Sequence, residues 1–144
     1  MISIVITRWD SYDVRRVIRE MFAIGTNNKT LNYKLLFLYG LPEKPSDKDI
    51  TKITQENEEH HDMLIPNVED TYHTVGLKLL SSFNWISKLN NVPNLKWVSK
   101  MDDDMMVNFT KYDEYFSNPE INHDRLHCPI NSGMSVIRDM HSKW

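Results

Sequence analysis

Cysteine is almost missing. Cys128 stands alone in 144 residues, so no disulfide can form within the chain, and neither a cysteine-built zinc site nor a redox pair is available. No run of about 18 apolar residues occurs, which leaves no segment able to cross a membrane as a helix. The opening stretch Met1–Ile6 is too short for a signal peptide and has no basic region before it. Positive charge is not in excess. The net charge is −3, which offers no general attraction to nucleic acid or to an anionic membrane, so an anionic substrate would need a metal or a local basic group. There are only four glycines, and none build a glycine-rich phosphate loop of the P-loop type. Internal repeats and low-complexity tracts are absent too. What remains is an ordinary globular balance, 40% hydrophobic and 26% charged, on a chain long enough for one domain with a real core.

The apolar pattern alternates between two kinds of segment. Ile2–Ile6 is apolar and β-branched, as a strand buried on both faces requires. Ser11 or Asp13 then caps a helix to about Ala23, with Val14, Val17, Ile18, Met21 and Phe22 as its apolar stripe. Arg15, Arg16 and Arg19 fall on the other side. They read either as a solvated face or, near a helix start after a strand, as anion binders. Leu35–Tyr39 is a second strand, stopped by Gly40 and Pro42. Ser46 caps a polar helix to about Glu59, and Met63–Ile65 is a short strand. His60, His61 and Asp62 adjoin, but neighbours in sequence diverge in space and make a poor ligand set. Asp70 or Thr71 caps the longest helix, to about Leu89, with a core stripe of Val75, Leu79, Leu80, Phe83 and Ile86. Lys78 on that helix reads as an exposed or snorkelling cation. Leu95–Met101 is the next strand, Asn108–Phe116 a helix, and Leu126–Cys128 and Met134–Ile137 short strands. Such alternation predicts an α/β layer with a mostly parallel sheet whose ligands bind beyond the carboxyl ends of its strands. Thr7, Gly40 and the triplet Asp102–Asp103–Asp104 all fall at those ends.

The triplet is the most pointed chemical signal. Three adjacent carboxylates repel, and apolar residues on both sides, Trp97–Met101 and Met105–Val107, set them against a core. In extended chain Asp102 and Asp104 share a side, a pair of hard oxygen donors suited to Mg²⁺ or Mn²⁺. A solvated acidic turn is the plain alternative. Metal-held diphosphate chemistry covers both glycosyl and phosphoryl transfer, and the triplet alone does not choose between them. A haloacid-dehalogenase-type phosphatase would take Asp102 as nucleophile and Asp104 as acid, but it would want Thr or Val where Met106 stands. Two glycosylation sequons are present. Asn28-Lys29-Thr30 sits in a polar loop open to modification; Asn108-Phe109-Thr110 reads as a folded, unmodified segment.

Taken in order, the motifs resemble glycosyltransferase family 31, the β-1,3-galactosyltransferase and β-1,3-N-acetylglucosaminyltransferase group of hexosyltransferases. Arg15-Arg16-Val17-Ile18-Arg19-Glu20 is similar to that family's Arg-x-x-Ile-Arg-x-Thr-Trp element, and Leu36-Phe37-Leu38-Tyr39-Gly40 to its Phe-Leu-x-Gly strand. Glu56 with Asp62, Asp70-x-Tyr72 with Leu77-Lys78, Trp85, Lys100-x-Asp102-Asp103-Asp104-x-x-Val107-Asn108 and the segment Val136–Trp144 complete the series. Met21-Phe22 departs from the family's Thr-Trp, His73-Thr74-Val75 from its Asn-Leu-Thr, and a cysteine common after the Trp85 region is absent.

The resemblance implies a GT-A-like fold, an α/β Rossmann-type sheet with flanking helices. Residues 1–144 would be its N-terminal, nucleotide-sugar-binding portion, incomplete on the C-terminal side. It also implies Mn²⁺- or Mg²⁺-dependent, inverting transfer of galactose or N-acetylglucosamine from a UDP-sugar to a glycan or glycoprotein acceptor. The place implied is the luminal side of the Golgi membrane, behind an N-terminal signal anchor of a type II protein. In that picture Asp104 ligates the metal, Asp102 supports its water shell or the ribose, and Asp103 lies beside the nucleotide. Thr7 and Arg15 lie at the nucleotide pocket, and Lys78 becomes a phosphate or structural partner. The catalytic base is expected beyond Trp144. A truncated, non-catalytic nucleotide-binding or interaction remnant is the alternative reading, and a metal-dependent phosphatase a further one.

Overall fold

The structure, a computed structural model, describes residues 1–89, 92, 94–128 and 133. Its elements run β1 (Ile2–Ile6), α1 (Tyr12–Gly25), β2 (Lys34–Leu38), α2 (Asp47–His60), β3 (Met63–Leu64), α3 (Val75–Ser87), β4 (Val98–Asp102) and α4 (Phe109–Ser117). The strands form one sheet in the order β3-β2-β1-β4. Every pairing is parallel, with Ile6 opposite both Leu38 and Asp102. The expected α/β sheet is therefore present. It grows from β1 through β2 to β3 on one side and jumps to β4 on the other. The strand order thus reverses between β1 and β4, where a parallel sheet leaves a crevice at its carboxyl edge.

Side chains alternate across the sheet, as strand geometry demands. Val5, Phe37, Tyr39 and Met101 pack with Ile18 and Phe22 of α1 and Phe109 of α4. Ile2, Ile4, Leu36 and Leu38 point to the other face and meet Ile86 of α3. At about 25 cal/mol per Å² of apolar area removed from water, these two layers are the main attractive term holding the sheet in place. Ser46 caps α2 with a full capping box, its hydroxyl accepting from Asp49 N and the Asp49 carboxylate accepting from Ser46 N.

Several expectations fail, each for a local reason. Val14 and Val17 are 40% and 54% exposed, while α1 buries Arg15, Ile18 and Phe22; the stripe is real, but a cation sits in it. In α3 the buried residues are Lys78, Ser82 and Ile86, and Leu80 and Phe83 face outward. That helix begins at Val75 after Thr74, not at Asp70 or Thr71, because the Asp70 carboxylate is engaged elsewhere. Met105 and Met106 are exposed, so of Met105–Val107 after the triplet only Val107 packs against the core that Met101 joins before it. No strand forms over Leu126–Cys128, and Met134–Ile137 lies outside the described residues. The two sequons differ. Asn28 is exposed in a left-handed turn after α1, with φ 57°. Asn108 caps α4, its side-chain oxygen accepting from Lys111 N.

Candidate functional site

At the strand reversal the carboxyl edge opens into a cleft of about 680 Å³. One wall is the β1–α1 loop with Thr7, Arg8 and Trp9. The opposite wall is the end of β4 with Lys100, Asp102, Asp103 and Asp104. The segment leading into α3, from Asp70 to Lys78, closes the third side. The structure thus brings together Thr7, Lys78, Asp102, Asp103 and Asp104 in one cleft, and leaves Arg15 out of it.

The triplet forms the acidic rim. Asp102 and Asp104 are exposed and Asp103 is half-buried. Lys100 Nζ donates to Asp102 Oδ1 at 2.6 Å, a surface pair worth little stability but enough to hold one carboxylate beside a cation. Among the described residues no three His, Cys, Asp or Glu side chains converge on one point to enclose an ion. Such a donor set fits a hard divalent cation that uses one or two carboxylates and completes its shell with water and phosphate oxygens. It does not fit a metal caged by protein alone.

Beneath the rim lies a buried ion pair. Lys78 Nζ donates to Asp70 Oδ1 at 2.6 Å, and the two side chains are 3% and 4% exposed. Asp70 also accepts from Trp9 N at 2.9 Å and from Gly40 N at 3.2 Å. One carboxylate therefore ties the end of β1, the end of β2 and α3 together. Gly40 is required there, since a Cβ at that position would run into the Val68 carbonyl and crowd Asp70 N at 2.9 Å. Thr7 is 4% exposed, and its Oγ1 is buried with no protein partner. A hydroxyl left unpaired inside a polar cleft is the kind of group that a ligand satisfies.

Arg15 sits behind the first wall and is fully buried. Its Nε and Nη2 bind the Glu56 carboxylate at 2.9 and 2.6 Å. Its Nη1 donates to the Arg8 carbonyl at 2.6 Å and its Nη2 to the Trp9 carbonyl at 3.1 Å. The guanidinium lies 4.9 Å from the Tyr12 ring centre and 4.8 Å from that of Tyr39. Arg19 shares Glu56 at 2.9 Å and adds Asp62 at 2.8 Å. Burial raises the Glu56 carboxyl, but the Arg15 hydrogen bonds and charge, with those of Arg19, outweigh it and hold the group below its ordinary range. The sequence reading missed Asp70, taken there as a helix cap, and missed the Trp9 main chain. The sequence signal for Asp70 is Lys78, a cation eight positions later on the helix that Asp70 precedes.

A family model described as Galactosyltransferase matches residues 13–144. The chain is 29% identical over 147 residues to Beta-1,3-galactosyltransferase 1 of Mus musculus, an alignment that covers 100% of this chain and 43% of the relative. Beta-1,3-galactosyltransferase 4 of Mus musculus is 29% identical over 108 residues, 75% of this chain and 28% of the relative. Beta-1,3-galactosyltransferase 2 of Homo sapiens is 26% identical over 134 residues, 92% and 31% respectively. The chain therefore spans less than half the length of these curated relatives.

Proposed function

The chain belongs to the galactosyltransferase family, and from that premise we propose that it binds a UDP-sugar in the β1–β4 cleft for hexosyl transfer. The hexose, galactose or N-acetylglucosamine, goes to a hydroxyl of a glycan or glycoprotein acceptor, on the luminal side of the Golgi membrane with inversion at the sugar carbon. The observation that carries this reading is the convergence of the acidic rim, the unpaired Thr7 hydroxyl and the Lys78–Asp70 pair on one cleft at the strand reversal.

The roles follow from position and chemistry. Asp104, with Asp102, would hold Mn²⁺ or Mg²⁺; the ion, when bound, offsets the charge that gathers on the departing nucleoside diphosphate. Asp103, half-buried on the same wall, lies beside the nucleotide. Thr7 offers its hydroxyl to the nucleotide, and Lys78 sets a positive charge under the diphosphate while Asp70 fixes its direction. An inverting transfer also needs a group to take the acceptor proton. Asp70 is the one lining carboxylate outside the triplet among the described residues, and it is turned onto Lys78, Trp9 N and Gly40 N. That commits it to building the cleft rather than to accepting a proton.

Calorimetric titration of UDP in the presence of Mn²⁺ tests the reading. Saturable heat with the native chain and none with Asp104→Ala is the expected result; equal heat from both would overturn it. A transfer assay on the same samples then separates an active enzyme from a nucleotide-binding remnant.

A further inference from the structure

We propose that Arg15 is a positioning residue for this cleft, acting on the nucleotide through the Arg8–Trp9 main chain rather than by touching it. The proposal rests on the UDP-sugar reading of the site. The Arg8–Trp9 segment forms one wall, and it is held from two directions. From below, Arg15 binds both of its carbonyls, at 2.6 and 3.1 Å. From the cleft side, Asp70 accepts the Trp9 N–H at 2.9 Å. The wall therefore has little freedom to move away from the acidic rim. The two rings flanking the guanidinium and the bidentate Glu56 carboxylate fix the fork that makes this grip. Lysine cannot reproduce it, because a single ammonium lacks the planar set of directed donors. Arg8 and Trp9 line the cleft, so their placement, together with that of the neighbouring Thr7 hydroxyl, is what the clamp controls.

Arg19 supplies the control. It belongs to the same ion network, through Glu56 and Asp62, but among the described contacts it makes none with the β1–α1 loop. A merely structural network would respond alike to a change at either arginine. Arg15→Lys is expected to weaken Mn²⁺–UDP binding about tenfold, the scale of one lost charge-assisted hydrogen bond, while Arg19→Lys leaves it unchanged. Hydrogen exchange at the Trp9 amide should rise in Arg15→Lys and stay at the native rate in Arg19→Lys. Equal effects of the two variants on binding or on Trp9 exchange, or no effect of either, would overturn the proposal. Glu56→Gln loosens the fork without removing Arg15 and covers the case in which Arg15→Lys does not fold. Faster Trp9 amide exchange together with weakened Mn²⁺–UDP affinity supports the clamp, and either one at the native level overturns it. Should the native chain bind no Mn²⁺–UDP, the functional reading fails by itself, and Trp9 exchange still judges the clamp.

Discussion

Lys78 Nζ meets Asp70 Oδ1 at 2.6 Å with both side chains almost wholly out of water. Removing one member of such a pair strands the other charge in a poorly solvating place, typically at about 3–5 kcal/mol. Lys78→Met should therefore lower stability on that scale, read as a shift in the urea midpoint. Asp70→Asn combined with Lys78→Met should lose less than the sum of the two single changes, because the second removes the charge that the first left alone.

Thr7→Val separates ligand recognition from folding. The Thr7 hydroxyl has no protein partner, so replacing it by a methyl group of similar shape is expected to leave stability within about 1 kcal/mol of native, or to raise it slightly. Affinity for Mn²⁺–UDP should fall. A thermal melt and a titration on one sample check both halves; undiminished affinity would remove Thr7 from the binding set.

Glu56 makes stability depend on pH in one direction. Its folded value lies below the ordinary 4.5, so the native state holds the proton less tightly than the unfolded chain does. The associated stabilisation is complete above 4.5 and is lost as pH falls through the depressed folded value. Urea midpoints taken between neutral pH and pH 3 should drop less steeply in Glu56→Gln than in the native chain, since the variant has already lost that contribution.

Gly40→Ala tests how closely the site is built. The added Cβ meets main chain, the Val68 carbonyl and the Asp70 amide, which cannot swing aside as a flexible side chain would. Overpacking of this type destabilises by about 1–3 kcal/mol. It should also displace Asp70, so that the Trp9 amide exchanges faster and UDP binds more weakly in the fraction that folds.

The strands were legible in the sequence because parallel strands buried on both faces are nearly continuous apolar runs, as Ile2–Ile6 is. The gathering of Thr7 and the triplet at one edge followed from alternation alone. The roles of Arg15 and Asp70 did not follow. Periodicity treats a charge as outward-facing, so it selected Val14 and Val17 for the stripe of α1, whereas Arg15 occupies it. Its neutralising partner, Glu56, lies 41 residues away, a separation that no local window spans. Asp70 misled in the same way. An aspartate before a helical pattern suggests a cap, but its acceptors are claimed by Trp9 and Gly40, 61 and 30 residues earlier. Lys78 then became legible only with Asp70 in place.

β4 joins the sheet by pairing with the first strand, Ser3 opposite Ser99, the two hydroxyls meeting across 96 positions of chain. Contacts between segments so distant in sequence form late, because a large loop must close before they can reward it. During synthesis β1 can zip to β2 early, but its other edge stays unpaired until the segment carrying the acidic triplet has emerged. Nascent chains halted before that point would present a bare, strongly apolar strand edge, the kind that recruits chaperones or other chains.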